Sequence, residues 1–286
     1  MKLRSPLFAP GDSPRKAEKA IASAADCVIL DLEDSVAAGA KDAARGQTAD
    51  IVRAQAAARA LVVRVNPRGT PWYLHDLAAV VPAGPAALML PKCTGIDDLH
   101  VLDQQMAVLE AGAGLPPGAI GIIAIVTETA ASIAGLAGYG DAPARLRAIC
   151  FGAEDLSADL GISPRREDGS YAPPVAAARA AVLIAAAAAG VAALDTPWPD
   201  PRDPAGLERE SRAAAADGFA GKLLIHPAQI APVTAIFTPD PAQLDWARRV
   251  RDAFAARPDA GVMALDGKMI DRPHLKLAQR LLATVD

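Results

Sequence analysis

Eight short apolar runs, at residues 6–10, 27–32, 60–65, 87–90, 120–126, 148–151, 191–194 and 222–225, recur about every 31 residues along the chain. That spacing is the length of a strand, a helix and their loops, which is the crossover that parallel strands require. The runs are nearly continuous in Val, Ile, Leu and Ala, the pattern of strands covered on both faces. The stretches between them, among them 39–59, 96–110 and 174–189, are rich in Ala, Arg, Gln and Leu, which favour helix. Ser13 and Pro14 predict an N-cap and a first helical position, and Gly190 predicts a helix end before the seventh strand. Eight alternations predict an α/β fold, a (β/α)₈ TIM barrel, with a doubly wound open sheet as the alternative. The barrel is expected to occupy residues 1–237. T-P-D-P-A-Q (238–243) marks a break, after which a C-terminal extension (238–286) reads as a helix at 244–256, an irregular strip at 258–271 and a last helix at 275–283.

At 286 residues and 52% hydrophobic, the chain can bury one large core. Its formal charge is −4 and it has no Lys/Arg-rich run, which argues against nucleic acid as a partner. Cys27, Cys93 and Cys150 show neither disulfide nor zinc spacing and are expected as reduced thiols. The first residues lack the apolar core of a signal peptide, and the longest apolar stretch, 180–194, is mostly alanine and too short to span a membrane. A soluble, cytoplasmic protein is expected.

The carboxyl ends of the runs carry the chemistry. In order they present Pro10 and Gly11; Asp31, Glu33 and Asp34; Arg64 and Asn66; Lys92; Glu128; Glu154 and Asp155; Asp195; His226. The opposite ends show no such pattern, and active sites of barrels lie at the carboxyl ends of the strands. Glu128 and Asp155 both follow greasy runs and suit a hard divalent cation such as Mg²⁺, which takes one or two carboxylates and fills its other positions with water or substrate. The alternative is two solvated rim acids, or partners for Arg64 and Lys92. Arg64 can bind a carboxylate with two hydrogen bonds; its alternative is an internal salt bridge to Glu33 or Asp34. Glu33 and Asp34 can stand behind a metal, holding its waters, or cap the next helix. Lys92 adds positive charge to the site or neutralises surplus acid. His226 reads as a pocket wall. No Walker loop, G-x-G-x-x-G, G-x-S-x-G or H-E-x-x-H is present.

R-S-P-L-F-A-P-G (4–11), D-L-E-D-S-V (31–36), R-V-N-P (64–67), P-K (91–92), T-E-T-A (127–130), F-G-A-E-D-L (151–156), H-P-A-Q (226–229) and D-G-K-M-I-D-R-P (266–273) together resemble the citrate lyase beta-subunit-like proteins of the HpcH/HpaI aldolase/citrate lyase superfamily. That group includes malyl-CoA and citramalyl-CoA lyases. The resemblance covers nearly the whole chain. It implies a carbon–carbon lyase working through a thioester enolate, with Mg²⁺, or Mn²⁺ in its place, on Glu128 and Asp155. It also implies Arg64 on the oxo-acid carboxylate and Gly152 and Ala153 against substrate. Arg15 and Lys19, at the start of the first helix, are placed on the phosphates of a coenzyme A thioester; a solvated helical turn is the alternative. Asp271 is implied as the acid/base, carried by a tail that reaches a neighbouring subunit of a trimer or hexamer; a helix cap is the alternative. Three other readings stay open: a citrate lyase beta subunit acting on a carrier-protein thioester, a metal-dependent aldolase for free 2-oxo acids, and a CoA-binding protein without turnover.

Overall fold

The structure, a computed structural model, describes residues 1–284. Eight parallel strands pair in chain order: β1 (Leu7–Pro10), β2 (Val28–Asp31), β3 (Leu61–Arg64), β4 (Ala87–Leu90), β5 (Gly121–Ile125), β6 (Leu146–Cys150), β7 (Ala192–Asp195) and β8 (Gly221–Lys222). Each lies on a predicted run within two residues, although β8 is cut to two residues. The chain just beyond β8 closes the ring: Leu224 bridges Leu7 in parallel, Phe8 N–H donates to Leu224 O at 2.8 Å, and Leu224 N–H donates to Pro6 O at 2.8 Å. Closure depends on Gly221. A Cβ there would lie 1.9 Å from the carbonyl oxygen of Leu3, so only glycine lets the first and last segments approach. The architecture is the (β/α)₈ barrel, not the open sheet.

The helices of this unit are α1 (Pro14–Ile21), α2 (Lys41–Gln55), α3 (Tyr73–Val80), α4 (Ile96–Gly112), α5 (Ala130–Gly135), α6 (Ala153–Leu160), α7 (Pro173–Ala189), α8 (Pro204–Asp217) and α9 (Ile230–Ile236). Gly190 ends α7 at φ +69° as expected. Pro14 does open α1, but the Ser13 hydroxyl makes no capping bond, so the turn starts on the proline's fixed φ alone. Alternate strand residues fill the barrel: Cys27, Ile29, Val62, Met89, Ile123, Ile125, Cys150, Leu194 and Leu223 form one buried cluster. The residues between them, such as Val28, Leu30, Leu61 and Val63, are equally buried. Alternation sends those under the helices, so both faces are covered. All three cysteines are free and buried.

Contacts divide the chain into the unit Leu3–Thr234 and a second unit, Ala235–Asp286. The second holds α10 (Pro241–Ala256), a hairpin of β9 (Val262–Leu265) and β10 (Lys268–Asp271), and α11 (Arg272–Leu282). Val250, Phe254, Met263, Ile270, Ala278 and Leu282 form its core. The strip expected to be irregular is therefore a hairpin, turned by Asp266 and Gly267 at φ +51° and +74°. Asp-Gly is a strong signal for such a turn, because both positions must adopt positive φ. Both helices also start earlier than expected. Asp240 accepts the Gln243 N–H at 2.8 Å, and Pro241 and Pro273 sit in first turns, where proline lacks only a donor the helix does not use. No helix among the described residues is long and apolar enough to cross a membrane.

Candidate active site

Strand parity decides which charges face the mouth of the barrel. Ile29 and Val62 point inward, so Asp31 and Arg64, two residues on, do too. Arg64 Nε and Nη2 donate to the two oxygens of Asp31 at 2.7 and 2.8 Å. Nη1 lies 2.9 Å from Glu33 Oε2, and the guanidinium sits 4.8 Å from the centre of the Phe8 ring. The internal salt bridge is thus real, but its main partner is Asp31 and not Asp34. Asp31 takes one edge of the fork, which leaves the Nη1–Nη2 end turned toward Glu33. Burial alone would raise the Asp31 pKa; the Arg64 bonds and charge, the Ser35 side chain and the Glu33 N–H outweigh it and hold the carboxyl below its usual range. Burial works against the Arg64 charge as well, and Asp31, Glu33 and Glu128 reverse that, raising its pKa.

Glu33 is buried, and its Oε1 lies 2.5 Å from Lys92 Nζ. Its Oε2 has no hydrogen-bonded partner, because the nearby Arg64 nitrogen is off line. Burial lifts the Glu33 pKa against the pull of Arg64 and Lys92. Asp34 is exposed, 3.8 Å from Lys92 Nζ. Lys92 follows β4 at φ +50°, a left-handed conformation that costs a non-glycine residue about 1–2 kcal/mol. That turn aims its backbone N–H at Glu128 Oε2 and its ammonium between Glu33 and Asp155, the latter at 3.5 Å. Despite burial, those acids raise the Lys92 pKa.

Glu128 is fixed by a threonine on each side. Thr127 Oγ1 accepts the Gly152 N–H at 2.9 Å, and Thr129 caps α5, taking the Ser132 N–H at 3.1 Å. The carboxyl between them is buried; burial, then Glu33, then Asp155 outweigh Lys92 and push its pKa up to about 8. Gly152 leaves room for it, since a Cβ at 152 would lie 2.7 Å from Glu128 Cγ. Asp155 is not at a strand end. β6 stops at Cys150, and Asp155 occupies the first turn of α6, where a carboxylate is favoured by the helix dipole. Its side chain is partly exposed. Ala153 N–H reaches Thr196 Oγ1 at 3.4 Å, a weaker bond than that of Gly152.

Four acids (Asp31, Glu33, Glu128 and Asp155) thus surround two cations (Arg64 and Lys92). A hard divalent cation fits that surplus, the oxygen donors and a Glu33 Oε2 that accepts no hydrogen bond. No group of three or more His, Cys, Asp or Glu among the described residues is arranged to hold a metal. Two protein carboxylates leave the remaining positions to water and substrate.

The other residues of interest divide. Arg15 and Lys19 are exposed on α1 and make no ion pair among the described residues. Asn66 is buried and spent on structure, donating to Asp76 at 2.6 Å and to Leu32 O at 3.0 Å. His226 caps a short turn through the Ala228 N–H. Asp195 does not belong with the set. Leu194 points inward, so Asp195 faces the helices, where it meets Lys222 and Arg179. Asp271 is the N-cap residue of α11 in the second unit. One contributor carries no signal in the sequence, and the part of another is not singled out there. Lys41, buried on α2, donates to the carbonyls of Leu32 and Glu33, both at 2.8 Å, and so fixes the loop after β2. Asp31, one acid among three in D-L-E-D, is the one that orients Arg64.

Residues 4–227 match the HpcH/HpaI aldolase/citrate lyase family. The chain belongs to that family. It is 33% identical over 287 residues to the citrate lyase subunit beta of Leuconostoc mesenteroides subsp. cremoris, covering 98% of this chain and 92% of that protein. It is 35% identical over 291 residues to the (3S)-malyl-CoA thioesterase of Cereibacter sphaeroides (strain KD131 / KCTC 12085), covering 99% and 94%. Among solved structures, CitE from Mycobacterium tuberculosis in complex with magnesium, acetoacetate and coenzyme A superposes with a TM-score of 0.74 at 37% identity, covering 100% of this chain and 99% of that one.

Proposed function

We propose that this family member is a Mg²⁺-dependent carbon–carbon lyase for a malyl-CoA-like 3-hydroxyacyl thioester, yielding an acyl-CoA and a small 2-oxo acid. The observation that carries the reading is the acid-rich mouth, in which Glu128 and Asp155 flank Lys92 beside a half-buried arginine. Glu128 and Asp155 would hold the cation. Bound there, Mg²⁺ supplies Lewis-acid stabilisation of charge on the keto oxygen.

The chain's own groups do the rest. Arg64, oriented by Asp31, offers its Nη1–Nη2 end to the oxo-acid carboxylate. Lys92 and Glu33 set the charge behind it, with Asp34 at the rim. The N-terminal turn of α6, at Gly152 and Ala153, borders the substrate. Arg15 and Lys19 meet the CoA phosphates. In cleavage the substrate hydroxyl gives its proton to water, the bond between the carbinol carbon and the thioester α-carbon breaks, and its electrons form the enolate. Asp271 of a neighbouring subunit, in a trimer or hexamer, then delivers a proton to that α-carbon. In synthesis Asp271 takes the proton away.

Two further readings have specific support. Similarity to the malyl-CoA thioesterase favours hydrolysis at the carbonyl carbon, and similarity to the citrate lyase subunit favours a thioester carried on protein. Products separate them. Incubated with Mg²⁺ and malyl-CoA, a lyase releases glyoxylate and acetyl-CoA, whereas a thioesterase releases malate and free CoA. Turnover confined to a citryl carrier-protein thioester supports the subunit reading. An Asp271→Asn variant that keeps the wild-type rate removes the acid/base assignment.

A further inference from the structure

We propose that His274 is the positioning residue for Asp271, holding its carboxyl in one orientation and sharing its proton; the inference rests on the acid/base reading of Asp271. His274 Nδ1 lies 2.5 Å from Asp271 Oδ1 and 3.2 Å from the Asp271 backbone nitrogen. One ring nitrogen cannot donate and accept at once. Two lone pairs 2.5 Å apart would repel, so a proton lies between imidazole and carboxyl. Either the ring donates Nδ1–H to a carboxylate, or the carboxylic acid donates to the ring while Nδ1 also faces the backbone N–H. Both states keep Oδ1 on the ring.

The surroundings reinforce this. Asp271 is anchored by pairing with Val262 across the hairpin and by its buried neighbour Ile270. Arg272, next in sequence, is turned away: it donates to Pro258 O and stacks 5.3 Å from the Phe254 ring centre. Among the described residues, His274 is the one cationic or cation-forming side chain paired with Asp271. The His274 side chain is 40% exposed.

The proton count closes. As Asp271 O–H breaks and the α-carbon C–H forms, the ring passes its Nδ1 proton to the carboxylate left behind while Nε2 takes from water the proton that the substrate hydroxyl gave up; exchange with water then returns the ring proton from Nε2 to Nδ1. In synthesis each transfer reverses.

The competing role is structural, since Asp271 and His274 are also arranged as a capping box at the start of α11. Glutamine is a natural residue at that third helical position and keeps the return bond to the N-cap N–H, but it has no proton to share. With Mg²⁺ and malyl-CoA, His274→Gln is expected to keep the wild-type melting temperature and KM. Its kcat should fall about tenfold, part of the 10²–10⁴ that an acid–base group contributes, while Asp271→Asn abolishes turnover. In ¹⁵N-labelled wild type, a strongly downfield imidazole N–H resonance should appear, and either substitution should remove it. Wild-type kcat in His274→Gln beside an inactive Asp271→Asn overturns this inference alone. Full turnover in Asp271→Asn overturns the acid/base reading and this inference with it. Absence of the resonance from the wild type overturns the pair regardless of turnover.

Discussion

Two clusters of buried charge lie in the barrel unit, one at its mouth and one under its helices, and they are balanced differently. Under the helices, Lys222 is fully buried with Asp195 Oδ2 at 2.9 Å and Glu210 Oε1 at 2.5 Å. Arg179 takes the other oxygen of Asp195 at 3.1 Å, and Arg165 pairs with Glu210. Each carboxylate there has two cations. Burial still lowers the Lys222 pKa, although Asp195 opposes the shift. At the mouth the acids outnumber the cations, one Glu33 oxygen accepts no hydrogen bond, and Lys92 holds a left-handed backbone. Closing a charge network on itself gives a structural fixture. Leaving one short of positive charge gives a place for a cation from outside.

That contrast can be broken first at Lys222. Lys222→Met leaves two buried carboxylates with one cation each, and stability in urea should drop by about 3–5 kcal/mol, the usual penalty for opening a buried pair. A loss under about 1 kcal/mol would mean the inner cluster is not the fixture described. Glu128→Gln at the mouth should behave in the opposite way. Burial and the neighbouring acids already disfavour the charged form of that carboxyl, so a neutral amide should leave the melting temperature unchanged or slightly higher, whereas Mg²⁺-dependent turnover should fall more than about a hundredfold. A large loss of stability in that variant would erase the distinction between the clusters.

Gly152→Ala sharpens the comparison, since it touches only the mouth. Its methyl group must displace Glu128, so we expect Mg²⁺ affinity, read by titration calorimetry, to weaken about tenfold, comparable to losing a supporting contact. Unchanged affinity would show that Glu128 can move without consequence. The smallest effect is with pH. The Asp31 pKa is depressed in the folded protein, so its contribution to stability is present above the unfolded value of about 4 and is lost as pH falls through the folded value. Asp31→Asn should therefore lose less stability than wild type between pH 5 and about pH 2. Parallel acid curves would dismiss the Arg64 pairing as the cause.

Much of this molecule is legible in the residues. The period of about 31 residues places all eight strands, and the one-sided run of strand-end charges marks the mouth. Arg64, Lys92 and Glu128 are readable because each lies at, or within two residues of, the end of a greasy run. Asp195 was misleading for the same reason: in a strand apolar on both faces nothing betrays which side a terminal charge takes. The hairpin at 262–271 was missed although Asp266-Gly267 announced its turn, because the strands beside it are short and weakly alternating.

The sequence by itself determined the eight parallel strand–helix units, their polarity and the family resemblance, because periodicity and motifs are local properties that survive without coordinates; closure of the ring was left to the fold. Tertiary structure decided that Asp31 is the partner of Arg64, that Lys92 turns left-handed toward Glu128, that Gly152 yields space to that carboxyl, and that His274 meets Asp271. Those facts depend on side-chain direction and on approaches within a few ångströms between distant segments, and only the folded backbone fixes them.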